Sequence, residues 1–405
     1  MARRLDGATA VVVFLLIVVP SFMLYFVTAQ KSPPFHIDPF TNVATSWNLS
    51  THGTVYLQEH AEFVGPEYFR TVGWFVEAPD GTVAQYPPGA ALWALPFYLV
   101  SSADIEIVPG IPENNRDLGV INLPVPPLTP AAAAASLAVA LAIGFLGLTI
   151  REVASNRHAV AVAYIFGFGT TAWAVASDQL WQHGPAMMWL ALGTYLASRA
   201  SRWGAGLAFG AALLTRPLTA VMAATSGLAQ GWRERSVKPV VQIGAGAALG
   251  LAALLAFNYA LFDSASISGG YGDVFTNRTR NADVWWFLGN VFGGLVDPVR
   301  GLLVWSPFLV VLIPGMRQAW KAAPAWARGP AIGGVVYLLV HWKANRFSGG
   351  DGFFGYRYPL EALVAAAPFL YYSYREWVAG RLVARKVFRY TVVVAVGLQA
   401  GVVLL

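Results

Sequence analysis

The chain has 405 residues, of which 56% are hydrophobic and only 12% charged, with no cysteine and a formal net charge of +6. A soluble domain of this length carries roughly a quarter charged residues, so the composition indicates a polytopic membrane protein and excludes disulfides, thiolate metal sites and cysteine nucleophiles. The Lys and Arg residues are scattered among apolar runs rather than clustered with aromatics, which excludes a nucleic-acid partner and fits basic loops that orient helices.

The N-terminal "MARRLDGATAVVVFLLIVVPSFMLYFVTAQ" has a basic start and an apolar run, with no small-x-small cleavage site after it. It reads as an uncleaved first transmembrane helix rather than a signal peptide. Next comes "FHIDPFTNVATSWNLSTHGTVYL", residues 35–57. Phe40, Val43, Trp47 and Leu49 oppose Thr41, Asn42, Thr45 and Asn48, which predicts an amphipathic helix on the outer leaflet, closed by Gly53. Asp38 falls at its N-terminal end, beside His36, where the helix dipole favours an ionised carboxylate. It is either a helix cap or a functional group. "YPPGAALWALPFYLV", 86–100, would reach only about 22 Å as a helix, short of a hydrocarbon core of about 30 Å. It is expected as a re-entrant or interfacial half-helix, with Trp93 and Tyr98 at the interface.

Apolar segments of spanning length follow near 131–150, 158–176, 184–198, 238–261, 301–315, 329–342, 358–373 and 387–405. The stretch 203–231 is too long for one span and is broken at Thr215, Arg216 and Pro217, giving two short helices that meet at a polar face. The fold class expected is an all-α polytopic membrane protein with about eleven transmembrane helices. It forms a single transmembrane domain, 1–405, with interfacial helices in a first extracytoplasmic loop, 31–130, and no soluble C-terminal domain. With the N-terminus inside, most of the 27 Lys and Arg residues fall on short inner loops, the bias of cytoplasmic loops.

The outer loops hold the unusual chemistry. "SDQLWQHGP" pairs Asp178 with His183 across a short turn, and such a lone histidine is more often structural than catalytic. "NRTRNAD" supplies Arg278 and Arg280. "KANRFSGGDGFFGYRYP" brings Lys343, Arg346 and Arg357 to a glycine-rich stretch with Asp351 and Tyr356. Glycines let backbone approach an anion and arginine suits a phosphate; the same arginines also suit lipid headgroups. Arg357 needs an anionic partner there, either a phosphate or one of Asp351 and Glu361. No HExxH, DxDxDG or paired-His spacing supports a metal, so no metal ligand and no cofactor is assigned and a divalent cation has no sequence support. GxSxG and Walker patterns are absent.

The order of these pieces resembles the GT-C superfamily of integral-membrane glycosyltransferases, in its protein mannosyltransferase-like and lipid A aminoarabinose transferase-like branch. The resemblance rests on Asp38, "LSTHGTVYL", "YPPGAALWALPFYL", "LLTRPLTAV", "DPVRGLLVWSPFLVVLIPG" and "GGDGFFGYRYPLEALVAAAPFL". Two positions depart from it: Ile37 precedes Asp38 where two acidic residues often stand, and Tyr86 replaces a basic residue before the two prolines. The resemblance implies an inverting transfer of sugar from a polyprenyl-phosphate donor to a hydroxyl of a glycan, lipid or protein acceptor, on the outer face of the cell membrane. Asp38 would be the general base, one carboxylate being enough because the leaving group is already a phosphate. Arg357, Arg346, Arg278, Arg280 and Lys343 would bind the donor phosphate. His36, Tyr86, Asp178, His183, Arg216, Asp351 and Tyr356 would line the acceptor cavity. The alternative is a transporter or flippase for a lipid-linked anion, but the inverted repeats of such proteins are not evident.

Overall fold

The structure, a computed structural model, describes residues 7–32, 36–58, 74–110, 121–350 and 353–404. The chain opens with α1 (Gly7–Thr28) and α2 (Ile37–His52), followed by an antiparallel hairpin of β1 (Phe75–Ala78) and β2 (Gly81–Ala84). Phe75 pairs with Ala84 and Ala78 with Gly81, turning through Pro79 and Asp80, residues suited to a tight turn. Then come α3 (Gly89–Leu99) and a second hairpin, β3 (Glu106–Gly110) with β4 (Ile121–Val125). These hairpins add strands to an otherwise helical fold.

The remainder is helical. In chain order it comprises α4 (Leu128–Arg151), α5 (Asn156–Gly169), α6 (His183–Ser198), α7 (Arg202–Thr215), α8 (Ala220–Glu234), α9 (Lys238–Phe262), α10 (Val274–Asn281) and α11 (Val284–Val296). Then follow α12 (Leu302–Trp305), α13 (Phe308–Leu312), α14 (Met316–Ala322), α15 (Ala325–Ala344), α16 (Pro359–Ser373) and α17 (Leu382–Leu404). Four helices, α1, α4, α9 and α17, are long and apolar enough to cross a membrane; the count of about eleven remains a reading of the sequence.

The four long helices differ in place. The most apolar stretch of α4 is 72% buried inside the protein, against 28%, 22% and 17% for α1, α9 and α17. Alanine-rich α4 is the central post, and α1, α5 and α6 pack on it. The other three turn Val11, Leu15, Leu249 and Val393 outward, as a lipid-facing surface requires. α9 joins the bundle through a glycine seam. Gly206 and Gly210 of α7 face Gly246 and Gly250 of α9 so closely that an added Cβ on Gly206 or Gly250 would meet the partner backbone. Small residues four apart allow this approach between membrane helices.

Several expectations change. α2 ends at Gly53, whose φ of +68° makes the left-handed cap, but it does not lie half-exposed. Residues 39–48 are buried on both faces. Its polar side is used inside the protein: Asn42 Nδ2 donates to the Leu180 carbonyl at 3.0 Å and Asn48 Nδ2 to that of Tyr56 at 2.5 Å. Tyr98 is buried rather than interfacial, its hydroxyl donating to the Pro127 carbonyl at 2.8 Å. The stretch 301–315 is not one helix but short pieces, interrupted at Pro307 and Pro314, because each proline lacks an N–H and clashes with the preceding turn. Residues 263–300 hold two helices, α10 and α11, where a loop was expected.

Two expectations hold. α3 is an 11-residue helix, about 16 Å long at 1.5 Å per residue. The stretch 203–231 breaks at Arg216.

Candidate functional site

The turn 177–182 grips both ends of the α1–α2 junction. The Gln30 N–H donates to Asp178 Oδ1 at 2.9 Å, and the His36 N–H donates to Gln179 Oε1 at 3.0 Å. Asp178 therefore sits at the base of the junction, and its burial pushes its carboxyl up to about 6 despite the hydrogen bonds from Gln30 and Gln179. The His36 ring packs on Trp181 at 5.2 Å. The helix cap is His36 and not Asp38. Asp38 lies in the first turn and turns inward.

There it meets Arg357, 319 positions away, in an ion pair between Asp38 Oδ2 and Arg357 Nη1. The pair is part-exposed, with side chains 20% and 13% accessible. The Tyr86 hydroxyl also donates to Asp38. Burial raises the proton affinity of Asp38, but Arg357 outweighs it, with help from Tyr86, and holds the carboxyl below its ordinary range. Burial beside this carboxylate drives the Tyr86 phenol well upward, so it is a donor at any working pH.

Arg357 is also surrounded by aromatic faces, 4.8 Å from the Trp181 centroid, 5.3 Å from Tyr358 and 5.6 Å from Phe353. Arg300 covers Phe353 from 4.0 Å. The loop carrying Arg357 is pinned below. Gly355 takes φ +77°, open to glycine, and its N–H donates to the Val299 carbonyl at 3.0 Å. Tyr356, 2% exposed, bonds Ser306 through its hydroxyl at 2.7 Å, and Ser306 donates to the Gly169 carbonyl at 2.9 Å.

A second ion pair lies beside the first. Pro217 excludes the helical region for the residue before it, and Arg216 is accordingly extended, at φ −144° and ψ 103°. That break turns its guanidinium into the bundle, where each nitrogen has its own neighbour. Nε meets Glu361 Oε1 at 3.1 Å, Nη1 meets His183 Nε2 at 3.3 Å, and Nη2 meets His341 Nε2 at 3.3 Å. His183 Nδ1 lies 2.8 Å from Glu361 Oε1. A proton on Nδ1 serves Glu361, and Arg216 Nη1, 3.4 Å from Nδ1 and 3.3 Å from Nε2, rests against the imidazole between its two nitrogens, so a neutral ring suits both neighbours. Glu361 is fully buried, His183 is 1% and His341 6% exposed. His341 stacks on Tyr358 with centroids 4.8 Å apart and planes at 13°, which joins the two ion pairs. Tyr271, on the turn after α9, packs against Tyr86 at 5.8 Å and senses Asp38, Arg357 and Arg216.

The structure thus brings together His36, Asp38, Tyr86, His183, Arg216 and Arg357. It places Asp178 at the edge of the group and Tyr356 in the packing beneath it. Arg278 and Arg280 are exposed on α10, which touches α15 through Phe275 and His341, 6.2 Å between rings. Lys343 and Arg346 are exposed at the end of α15. None of these four enters an ion pair among the described residues. Asp351 lies outside the described residues. Of the carboxylates weighed for Arg357, Glu361 is taken by Arg216 and His183; the partner found, Asp38, was not among them. Trp181, Phe353, Arg300, Tyr271 and His341 were not anticipated. The signal for His341 and Glu361 was present, since each is an ionisable residue in an apolar helix.

At the other end of the bundle Arg199 pairs with Glu152 at 3.0 Å and Arg202 with Glu234. These tie the 151–156, 199–202 and 234–238 connections together.

No family profile and no curated protein matches the sequence. The fold matches two crystal structures of ArnT from Cupriavidus metallidurans, one bound to undecaprenyl phosphate at 14% identity and one in the apo state at 15%, each with a TM-score of 0.53. Each match covers 98% of this chain and 65% of the ArnT chain, so this chain spans less than two thirds of that protein. The protein has the fold of ArnT.

Proposed function

We propose that the protein transfers a sugar from a polyprenyl-phosphate donor to an acceptor hydroxyl at the extracytoplasmic face of the cell membrane, with inversion at the anomeric carbon. The observation that carries this reading is the Asp38–Arg357 pair, a carboxylate and a guanidinium held against each other in an aromatic enclosure. The undecaprenyl phosphate bound by ArnT supports the donor class.

In this mechanism the acceptor oxygen attacks the anomeric carbon and its proton passes to Asp38. The bond from that carbon to the phosphate oxygen breaks, and the electron pair leaves with polyprenyl phosphate. No general acid is needed. Arg357 stabilises the charge that develops on the phosphate. Because Arg357 holds Asp38 in the donor-free protein, an arriving phosphate competes for the guanidinium and loosens it from the carboxylate. Asp38 then becomes a stronger base at the moment donor is present. Arg278, Arg280, Arg346 and Lys343 act at longer range, drawing the anionic headgroup toward this end of the bundle.

The test is release of polyprenyl phosphate by purified protein in liposomes, with a panel of polyprenyl-phosphate sugars and candidate hydroxyl acceptors. Asp38→Asn keeps the size of the side chain and loses its basicity. Turnover is expected to fall by about 10²-fold or more while the variant stays folded. Near-normal turnover by Asp38→Asn excludes the role.

A further inference from the structure

We propose that Glu361, together with Arg216, His183 and His341, is a positioning network for Arg357 rather than part of the acceptor cavity. This inference rests on the assignment of Asp38 and Arg357 above.

Position is the first argument. Glu361 stands in the first turn of α16, four residues after Arg357, and the Leu360 N–H donates to the Arg357 carbonyl at 3.2 Å. Whatever fixes Glu361 therefore fixes the backbone that presents Arg357. Two elements meet it directly, α6 through His183 and the α7–α8 break through Arg216, and α15 joins through His341 against Arg216 Nη2.

The second argument is the contact. His341 is stacked flat on Tyr358, and Tyr358 forms one wall around the Arg357 guanidinium. The network thus reaches Arg357 through backbone on one side and through a ring on the other.

Charge supplies the third. Glu361 and Arg216 cancel, and the histidine contacts are met by neutral rings. A group with no net charge exerts little net pull on a phosphate, so its influence is geometric. Stability alone does not account for it, because replacing a buried ion pair by apolar residues is often neutral or stabilising. Its use of all three guanidinium nitrogens of Arg216 gives fixed angles, which lysine would not supply.

The test uses full-length protein and a short-chain polyprenyl phosphate as probe. Glu361→Asp keeps the charge and withdraws it by one methylene. Expected is a folded variant that binds the probe roughly ten- to hundred-fold more weakly, as displacements near 1 Å can cost. The acid limb of its rate profile should shift to higher pH, because Asp38 loses the depressing influence of Arg357. Of the other groups facing Asp38, Tyr86 and Tyr271 lie on other elements and keep their effect, while His183 is disturbed together with Glu361, to which it is bonded.

A second pair of variants leaves both charged groups, Glu361 and Arg216, in place. His341→Ala removes the plate under Tyr358 and should weaken probe binding, and His341→Phe restores the plate and should restore binding. A folded Glu361→Asp with lower thermal stability but unchanged probe affinity and pH profile would overturn the proposal. So would wild-type probe affinity in His341→Ala. If instead the reading of Asp38 and Arg357 is wrong, Asp38→Asn turns over normally whatever the Glu361 and His341 variants do.

Discussion

The two arginine–carboxylate pairs of this protein are made from the same chemistry and built to different ends. In Glu361–Arg216 the carboxylate is inaccessible, Arg216 is 13% accessible like Arg357, and all three nitrogen positions of the guanidinium have neighbours, while Glu361 Oε2 is buried without a hydrogen-bond partner among the described residues. Asp38–Arg357 is part-open, with a fifth of the Asp38 side chain accessible. A carboxylate cut off from water depends on its protein partners for its charge, because desolvation otherwise makes it costly. A pair at an accessible edge can be broken and remade because water or a ligand takes over the lost contact. The first suits a fixed foundation and the second an exchangeable contact. The surface pair Arg199–Glu152, with its arginine side chain 53% exposed, belongs to neither kind, and such pairs contribute about 0–1 kcal/mol.

The comparison is broken most directly by truncation. Glu361→Ala leaves Arg216 buried without its counter-charge and should cost about 3–5 kcal/mol of stability. Asp38→Ala should cost less, about 1–3 kcal/mol, because water reaches the Arg357 it leaves behind. Thermal unfolding of the two variants in one detergent checks the order; equal losses would mean that both pairs are structural.

Next in size is Arg357→Lys. Lysine keeps the charge and loses the fork. Polyprenyl-phosphate affinity should weaken by about 1–3 kcal/mol, while unfolding of the donor-free protein changes little. Loss of stability with affinity spared would place Arg357 with the foundation instead.

The smallest effect concerns Asp178, which stands outside both pairs and marks the edge of the group. Its folded-state value of about 6 lies above the ordinary 3.8. Between those values the folded protein binds more protons than the unfolded chain. The stabilising contribution is therefore full below about 3.8 and is lost as pH rises through about 6. The melting temperature should decline over that window, and Asp178→Asn should flatten the decline. An identical slope in both proteins would assign it to another group.

Much of the frame was legible in the sequence because it depends on local rules. "TRP" announced the break at Arg216 through the effect of proline on its predecessor, and Gly53 announced the end of α2. That the stretch 86–100 holds only a short helix was legible from its length. The misread stretches have physical causes. Residues 284–296 are apolar but short of spanning length and flanked by charge, so they resembled a loop; in the structure they form α11. Residues 301–315 are apolar throughout, and apolarity masked Pro307 and Pro314. The interior of the site was harder. Asp38, Arg216 and Arg357 stood out singly, but no local pattern states that Asp38 meets Arg357 or that Glu361 meets Arg216. Those pairings are set by packing between segments that one sequence leaves unlinked.

The glycine seam between α7 and α9 acts as a ruler. Where backbone rests on backbone, the two helices cannot slide by a residue without driving a carbonyl into a side chain. α9 also packs along α8, where Gly227 and Gly231 face Val240, and the turn that follows it delivers Tyr271 to the site nine residues beyond its end. The height at which that tyrosine arrives is therefore measured out at Gly206, Gly210, Gly246 and Gly250, several helical turns away. A single methyl group added there would misplace a site residue without touching it.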